Sequence, residues 1–219
     1  MSMHFKFFEN KKRTYFILSA VLSIAVFGIL MGIATFMADS LSEQNMAKRW
    51  DKDGGVSQVS CFFSVNSFIS EYDIESFEHS LDDVLKEDSI TMDESVTNAQ
   101  ARLWVDAYSA DGKVTVTNNK TSLTADAIGI GGDFFLFHPL KLINGSFFSG
   151  NDLVKDYCII DEDAAWQLFG SNDVAGQYVF ISGVPHIVIG VIERQKGRIE
   201  EAAGLSETLV YVSYETHVR

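Results

Sequence analysis

Twenty-five consecutive residues, Thr14 to Ala38, carry no charge. A helix of that length rises about 37 Å at about 1.5 Å per residue. The hydrocarbon layer of a bilayer is about 30 Å thick. The run therefore predicts a transmembrane helix, and every other segment must lie on one side of the membrane or the other. A core helix of a soluble protein would show polar residues at helical spacing. This run offers only Thr14, Ser19, Ser23 and Thr35. Gly28 and Gly32 form a G-x-x-x-G step with Ala25 one turn earlier, and small residues of this kind let membrane helices approach closely.

The flanks set the expected orientation. Before the run stand Lys6, Lys11, Lys12 and Arg13 against Glu9, a net charge of +3. The chain as a whole carries −13, so the remainder carries −16. Basic residues beside a span stay cytoplasmic. This predicts a cytoplasmic tail over 1–13, a membrane helix over 14–38 and an acidic extracytoplasmic remainder. A cleaved signal peptide is the rival reading. Its apolar region would be only about 7–15 residues, and it would end in an A-x-A site. Here the run is longer and exits as Ala34-Thr-Phe-Met-Ala38.

About 180 residues follow the span, enough for one sizeable domain or two small ones. Their negative charge argues against nucleic acid and against an anionic lipid surface as partners. Cys61 and Cys158 both sit in apolar, strand-like runs and read as buried free thiols, although a disulfide is permitted outside the cytoplasm.

Asp39 to Trp50 contains good helix formers and predicts a helical stalk, ended by Gly54-Gly55. Val56 to Val65 is rich in β-branched and aromatic residues and reads as a strand. Over Asp73 to Asp88, Ile74, Phe77, Leu81, Val84 and Leu85 trace one helical face, with Asp73 as the cap and a solvated acidic face opposite. Ala101 to Tyr108 and Val114 to Thr117 are expected strands about an Asp111-Gly112 turn. Leu123 to Ile130 is another, followed by a short turn from Asp133. Asp161 should cap a helix closed by Gly170. Tyr178 to Ile181 and His186 to Ile192 form a hairpin, and Leu209 to Tyr214 is the last strand. Helices and strands mix without regular alternation, which means α+β.

No catalytic, cofactor-binding or metal residue is assigned. His4, His79, His138, His186 and His217 are scattered, with no H-E-x-x-H pairing. There is no G-x-S-x-G elbow and no phosphate-binding G-x-x-x-x-G-K-[ST] loop. Asp161, Glu162 and Asp163 cluster as a helix start would. Phe134, Phe135, Phe137, Phe147 and Phe148 could line a ligand patch, but core packing is the ordinary reading. The chain is therefore not expected to be an enzyme.

An ordered series of short motifs is more specific. Leu168-Phe169-Gly170, Val174-Ala-Gly176-Gln177, Tyr178-Val-Phe-Ile181, Gly183 and Ile187-Val-Ile-Gly190-Val191 follow one another. Upstream stand Ile128-Gly129, Asp133-Phe134-Phe135, Leu140-Lys-Leu142 and Gly145-Ser-Phe-Phe148; downstream stands Val210-Tyr211-Val212. This series resembles the MacB/FtsX-like ABC transporter permeases over nearly the whole chain. The resemblance implies a first membrane helix, a stalk over 39–53 and an extracytoplasmic core domain over 54–219. Within that domain it implies a porter-like α/β part in about 54–118 and 195–219, with a mostly-β subdomain inserted at about 119–194. It also implies a cell-membrane location, no cofactor, and as partners an ABC-type ATPase subunit, membrane lipid, and further permease helices or a second permease copy. The function implied is that of the N-terminal part of an export or mechanotransmission permease, with the substrate unspecified. Such permeases carry a second membrane helix soon after this domain, so a chain ending at Arg219 is expected to be an N-terminal part or one half of a split protein. The alternative is a signal-anchored extracellular binding or sensor module without transport activity.

Overall fold

The computed structural model describes residues 2–40, 50, 56–64, 67–90, 103–149, 152–194 and 208–215. The chain divides into two compact units, 1–45 and 46–219.

The described residues of the first unit form one helix, α1 (Ser2–Ser40). Within it Thr14–Met37 is long and apolar enough to cross a membrane, with a mean hydropathy of 2.6. Its few polar side chains are satisfied locally. Ser23 Oγ donates to Ser19 O at 2.9 Å, and Thr35 Oγ1 to Met31 O at 3.0 Å. Such back-bonding makes a hydroxyl tolerable in a helix that faces lipid. The predicted stalk falls mostly outside the described residues; Trp50 is helical.

The second unit contains α2 (Glu71–Glu87), β1 (Ala107–Thr117), β2 (Ser122–Gly132), α3 (Phe134–Phe137), β3 (Leu142–Gly145), β4 (Tyr157–Asp161), α4 (Glu162–Phe169), β5 (Tyr178–Ile181), β6 (Val184–Ile192) and β7 (Leu209–Ser213). The seven strands among the described residues belong to one sheet in the order β3-β6-β4-β7-β2-β1-β5, and β5 also pairs with β6. Six strands thus close into a ring, β6-β4-β7-β2-β1-β5, and β3 is an appendage on β6. The seam of the ring is slight: β1 meets β5 only at Val116↔Ile181 and Thr117↔Phe180. The mixed sheet and segregated helices make this an α+β fold.

Strand alternation sends side chains to two cores. The ring interior holds Val116, Ala125, Cys158, Ile160, Val179, Ile181, Val188, Val210 and Val212, and α4 adds Ala164, Ala165 and Leu168. The other face of β2, β4, β6 and β7 packs Ile130, Ile159, Ile192 and Tyr211 under Phe134 and Phe148. A bulge in β6 keeps both cores filled. Cys158 pairs with Val188 but Ile159 with Gly190. One extra residue there lets Val188 and Val191 both face inward although they are three apart.

The β3–β6 junction depends on two glycines. Gly145 pairs with Gly190, and a Cβ on Gly145 (φ +85°) would fall 2.0 Å from Ile189 O. Only backbone fits there.

Several expectations are corrected by the structure. Asp111-Gly112 is not a turn. Both residues lie inside β1, opposite Ile128 and Ala127. The hairpin turns at 118–121, where Asn118 Oδ1 accepts from Lys120 N at 2.8 Å and Thr121 N at 2.7 Å. An asparagine side chain mimics a turn in this way. The residues 103–106 are not strand, and neither are 56–64. Strand propensity does not suffice without an edge to pair with. The β5–β6 turn is the two-residue Ser182-Gly183, both with positive φ, and Pro185 stands within β6 opposite Phe180. The capping residue of α2 is Ser70, with Asp73 reciprocating from three positions on. Cys158 is buried and free, as read, but Cys61 is exposed.

Candidate functional site

The motifs that carry the family resemblance turn out to be joints. Asp161 caps α4, its Oδ1 accepting from Ala164 N at 2.7 Å, as its position predicts. Its Oδ2 also accepts from Leu209 N at 3.0 Å, so one buried carboxylate ties α4, β4 and β7 together. Burial raises its pKa, opposed by these two N–H donors and by Arg194. Gly170 closes α4 in the left-handed conformation, donating to Trp166 O at 2.9 Å. The freed carbonyl of Leu168 accepts from Asn118 Nδ2 and from Thr121 Oγ1. Gly176 N donates to Val188 O at 2.7 Å, fastening the Val174–Gln177 step to β6.

Four of the five phenylalanines, Phe134, Phe135, Phe147 and Phe148, form one aromatic cluster. Phe134 and Phe148 are buried, and Phe135 stacks edge-on against Phe134 at 5.5 Å. Phe147 lies 4.5 Å from Phe135 and is 38% exposed, at the rim of this cluster. His138 stacks on Phe134 at 4.4 Å, His79 is exposed, and His186 is buried with Nδ1 2.9 Å from Val184 O. His4 and His217 fall on residues whose side chains are not described. Among the described residues no group of three or more His, Cys, Asp or Glu could hold a metal ion.

The chemically unusual surface is the docking of α2. No residue of α2 is buried. The side turned to the domain carries Glu71, Ile74, Glu78, Leu81, Asp82 and Leu85, all half-buried. Polar contacts hold it in place. Trp104 Nε1 donates to Asp82 Oδ1 at 2.9 Å. Lys155 Nζ lies 3.6 Å from Glu71 Oε1. Tyr214 Oη donates to Ile69 O at 2.9 Å, pinning the residue before the Ser70 cap. Tyr214 in turn stacks edge-on with Tyr108 at 5.1 Å, and Tyr108 lies over Gly131, where a Cβ would fall 2.1 Å from the ring.

Two carboxyl groups meet in the middle of this contact. Desolvation first, then the charge and hydrogen bond of Asp106, then Glu75 and Asp82, push Glu78 up to about 7. Two adjacent carboxylates cannot both ionise cheaply, and a shared proton relieves the repulsion. Burial, helped by Glu71, Glu78, Asp106 and Glu75, also raises the Tyr108 phenol. The sequence alone predicts a solvated acidic side for this helix. The available signal was the spacing of Glu71, Glu75, Glu78 and Asp82, which forms one stripe at helical period.

A model of the MacB-like periplasmic core domain matches residues 17–219. The macrolide export ATP-binding/permease protein MacB of Neisseria gonorrhoeae is 34% identical over 106 residues, 48% of this chain and 16% of that protein. The protein of that name from Shewanella oneidensis is 31% identical over 137 residues, 58% of this chain and 20% of its own length. The matched stretches thus take up a fifth or less of these relatives. Among solved structures, the extracellular domain of the ABC-type transporter YknZ from Gram-positive bacteria overlaps 50% of this chain and 54% of its own, at 25% identity and a TM-score of 0.42. The periplasmic region of MacB from Actinobacillus actinomycetemcomitans overlaps 52% and 51%, at 22% identity and a TM-score of 0.42.

Proposed function

The chain belongs to the MacB-like periplasmic core domain family, and from that premise we propose that it is the N-terminal part of an ABC-type export or mechanotransmission permease. Its 1–13 tail is cytoplasmic, 14–38 spans the cell membrane, and the sheet domain lies outside. The stalk over 39–53 passes motion between them. A separate or fused ATPase supplies the energy, and the chain itself carries no catalytic residue. The observation that carries this reading is the single family match, which runs unbroken from within the apolar helix across the sheet domain.

Two measurements test it. Cys61 is exposed and Cys158 buried, so a membrane-impermeant maleimide should label Cys61 on intact cells. Labelling only after the membrane is opened overturns the orientation. Co-expression with an ABC-type ATPase from the same genome should bring the full-length protein down in a detergent-stable complex. Failure to recover a complex overturns the permease reading and leaves a signal-anchored binding or sensor module.

A further inference from the structure

Strand β1 has one edge that its neighbours barely use. It runs eleven residues beside β2, but β5 meets it only at Val116 and Thr117. Successive residues of a strand turn their N–H and C=O groups to opposite edges. The carbonyl of Thr115 points to the β5 side, where it accepts from Ser182 N at 2.8 Å. By that alternation Ser109, Asp111 and Lys113 present their backbone groups to the same side, and among the described residues no strand pairs with them there. Their side chains are exposed. An edge of this kind is a template for another strand.

We infer that this edge pairs antiparallel with the same edge of a second copy of the chain, about a two-fold axis through Gly112. The edge is its own complement in that register. Asp111 comes opposite the second copy's Lys113, and Lys113 opposite its Asp111. On the other face the half-buried Ala110 comes opposite the second copy's half-buried Val114, and Gly112 meets itself. Moving the axis to Asp111 sets aspartate against aspartate, and moving it to Lys113 sets lysine against lysine. Like charges directly opposite one another destabilise a strand pair. The sequence Asp-Gly-Lys, which builds no turn within the chain, is thus the part of β1 that selects both the partner and the register.

Lys113 also bridges to Asp126 Oδ1 at 2.8 Å and is 67% exposed, so in the pair it stands between two carboxylates. Each copy carries −13 in total, but charges more than about 8 Å apart are screened at physiological salt, so the local pairs decide. From Thr115 onward β5 takes the edge, which limits the ladder to 110–114 of each copy. So short a ladder gains from tethering. Helix α1, long and apolar enough to cross a membrane, would hold both copies on one surface and raise their effective concentration. The inference rests on β1 and on the membrane span, not on the permease reading.

Disulfide trapping of the full chain in liposomes tests it, with Cys61→Ser as background because Cys158 is buried. Across the axis the two Gly112 residues form a non-hydrogen-bonded pair with Cα atoms about 4.5 Å apart, within disulfide reach. Gly112→Cys should therefore give a disulfide dimer under mild oxidation. Ser109→Cys, three residues off the axis and about 20 Å from its counterpart, should give at least ~5-fold less. Adding Asp111→Lys to Gly112→Cys makes both ion pairs like-charged and should lower the yield at least ~5-fold, as should adding Lys113→Glu instead. Co-reconstituting those two variants with different tags should restore the yield in the mixed dimer alone, where both pairs regain opposite charges. Circular dichroism checks that each variant folds. A Gly112→Cys yield no higher than that of Ser109→Cys overturns the inference. So does a yield unchanged by Asp111→Lys, or a mixed dimer no more abundant than either variant's own.

Discussion

Helices α4 and α2 begin alike and end differently. Each is amphipathic, and each is capped by a side chain that accepts from the backbone three residues on. Helix α4, with eight residues, buries Ala164, Ala165 and Leu168 in the ring interior. Helix α2, with seventeen, buries nothing fully and is held by one indole, one lysine and a carboxyl pair. Length and caps therefore decide that a helix forms, but the surface it meets decides how firmly it is held. A surface with matched apolar relief locks α4. A surface offering Asp106, Trp104 and Lys155 holds α2 through groups that solvent and pH can reach.

The contrast can be broken from its strong side first. Leu168→Ala should cost the outer unit about 3 kcal/mol, the usual cost of a cavity in a packed core. Urea denaturation followed by far-UV circular dichroism would show it as a lower midpoint with an unchanged slope. Asp161→Ala removes the cap of α4 and orphans the N–H of Leu209, and should cost about 2 kcal/mol by the same measurement. Leu81→Ala, on the half-buried side of α2, should cost about 1 kcal/mol or less, because little apolar area leaves water there. A loss as large as that of Leu168→Ala would refute the contrast. Smallest of all, Lys155→Met removes an ion pair whose partners are both partly exposed, and should shift stability by under about 0.5 kcal/mol. Its effect should appear instead as faster hydrogen exchange over 71–74, at the start of α2.

The parts of the fold legible in the sequence are those whose reasons are local. Asp161 before an Ala-rich turn and Gly170 after it mark both ends of α4 without reference to anything distant. The charge-free run likewise needs only its own length to be read as a span. Long-range reasons stayed hidden. Asp111-Gly112 carries a turn signal, yet β2 pairs straight across it because Asn118 builds a better turn seven residues later. The apolar pattern of α2 is correct as a pattern, but its facing depends on Asp106 and Trp104, more than twenty residues away. Spacing could reveal the carboxylate stripe; it could not reveal a second carboxyl waiting opposite Glu78.

Strand β7 has a consequence for how the protein is made. It lies between β2, which it meets in parallel, and β4, which it meets antiparallel, and it supplies Val210 and Val212 to one core and Tyr211 to the other. Its partner β2 is nearly eighty residues earlier in the chain. Until Leu209–Ser213 has been synthesised, β2 and β4 face each other across a missing strand, and both cores stay open. Such long-range closure is slow compared with forming a helix or hairpin. The β1–β2 hairpin can form early, but the domain cannot. A nascent chain would thus hold a wet, unfinished sheet for most of its synthesis, and ribosomes stalled before residue 208 should release a protease-sensitive product.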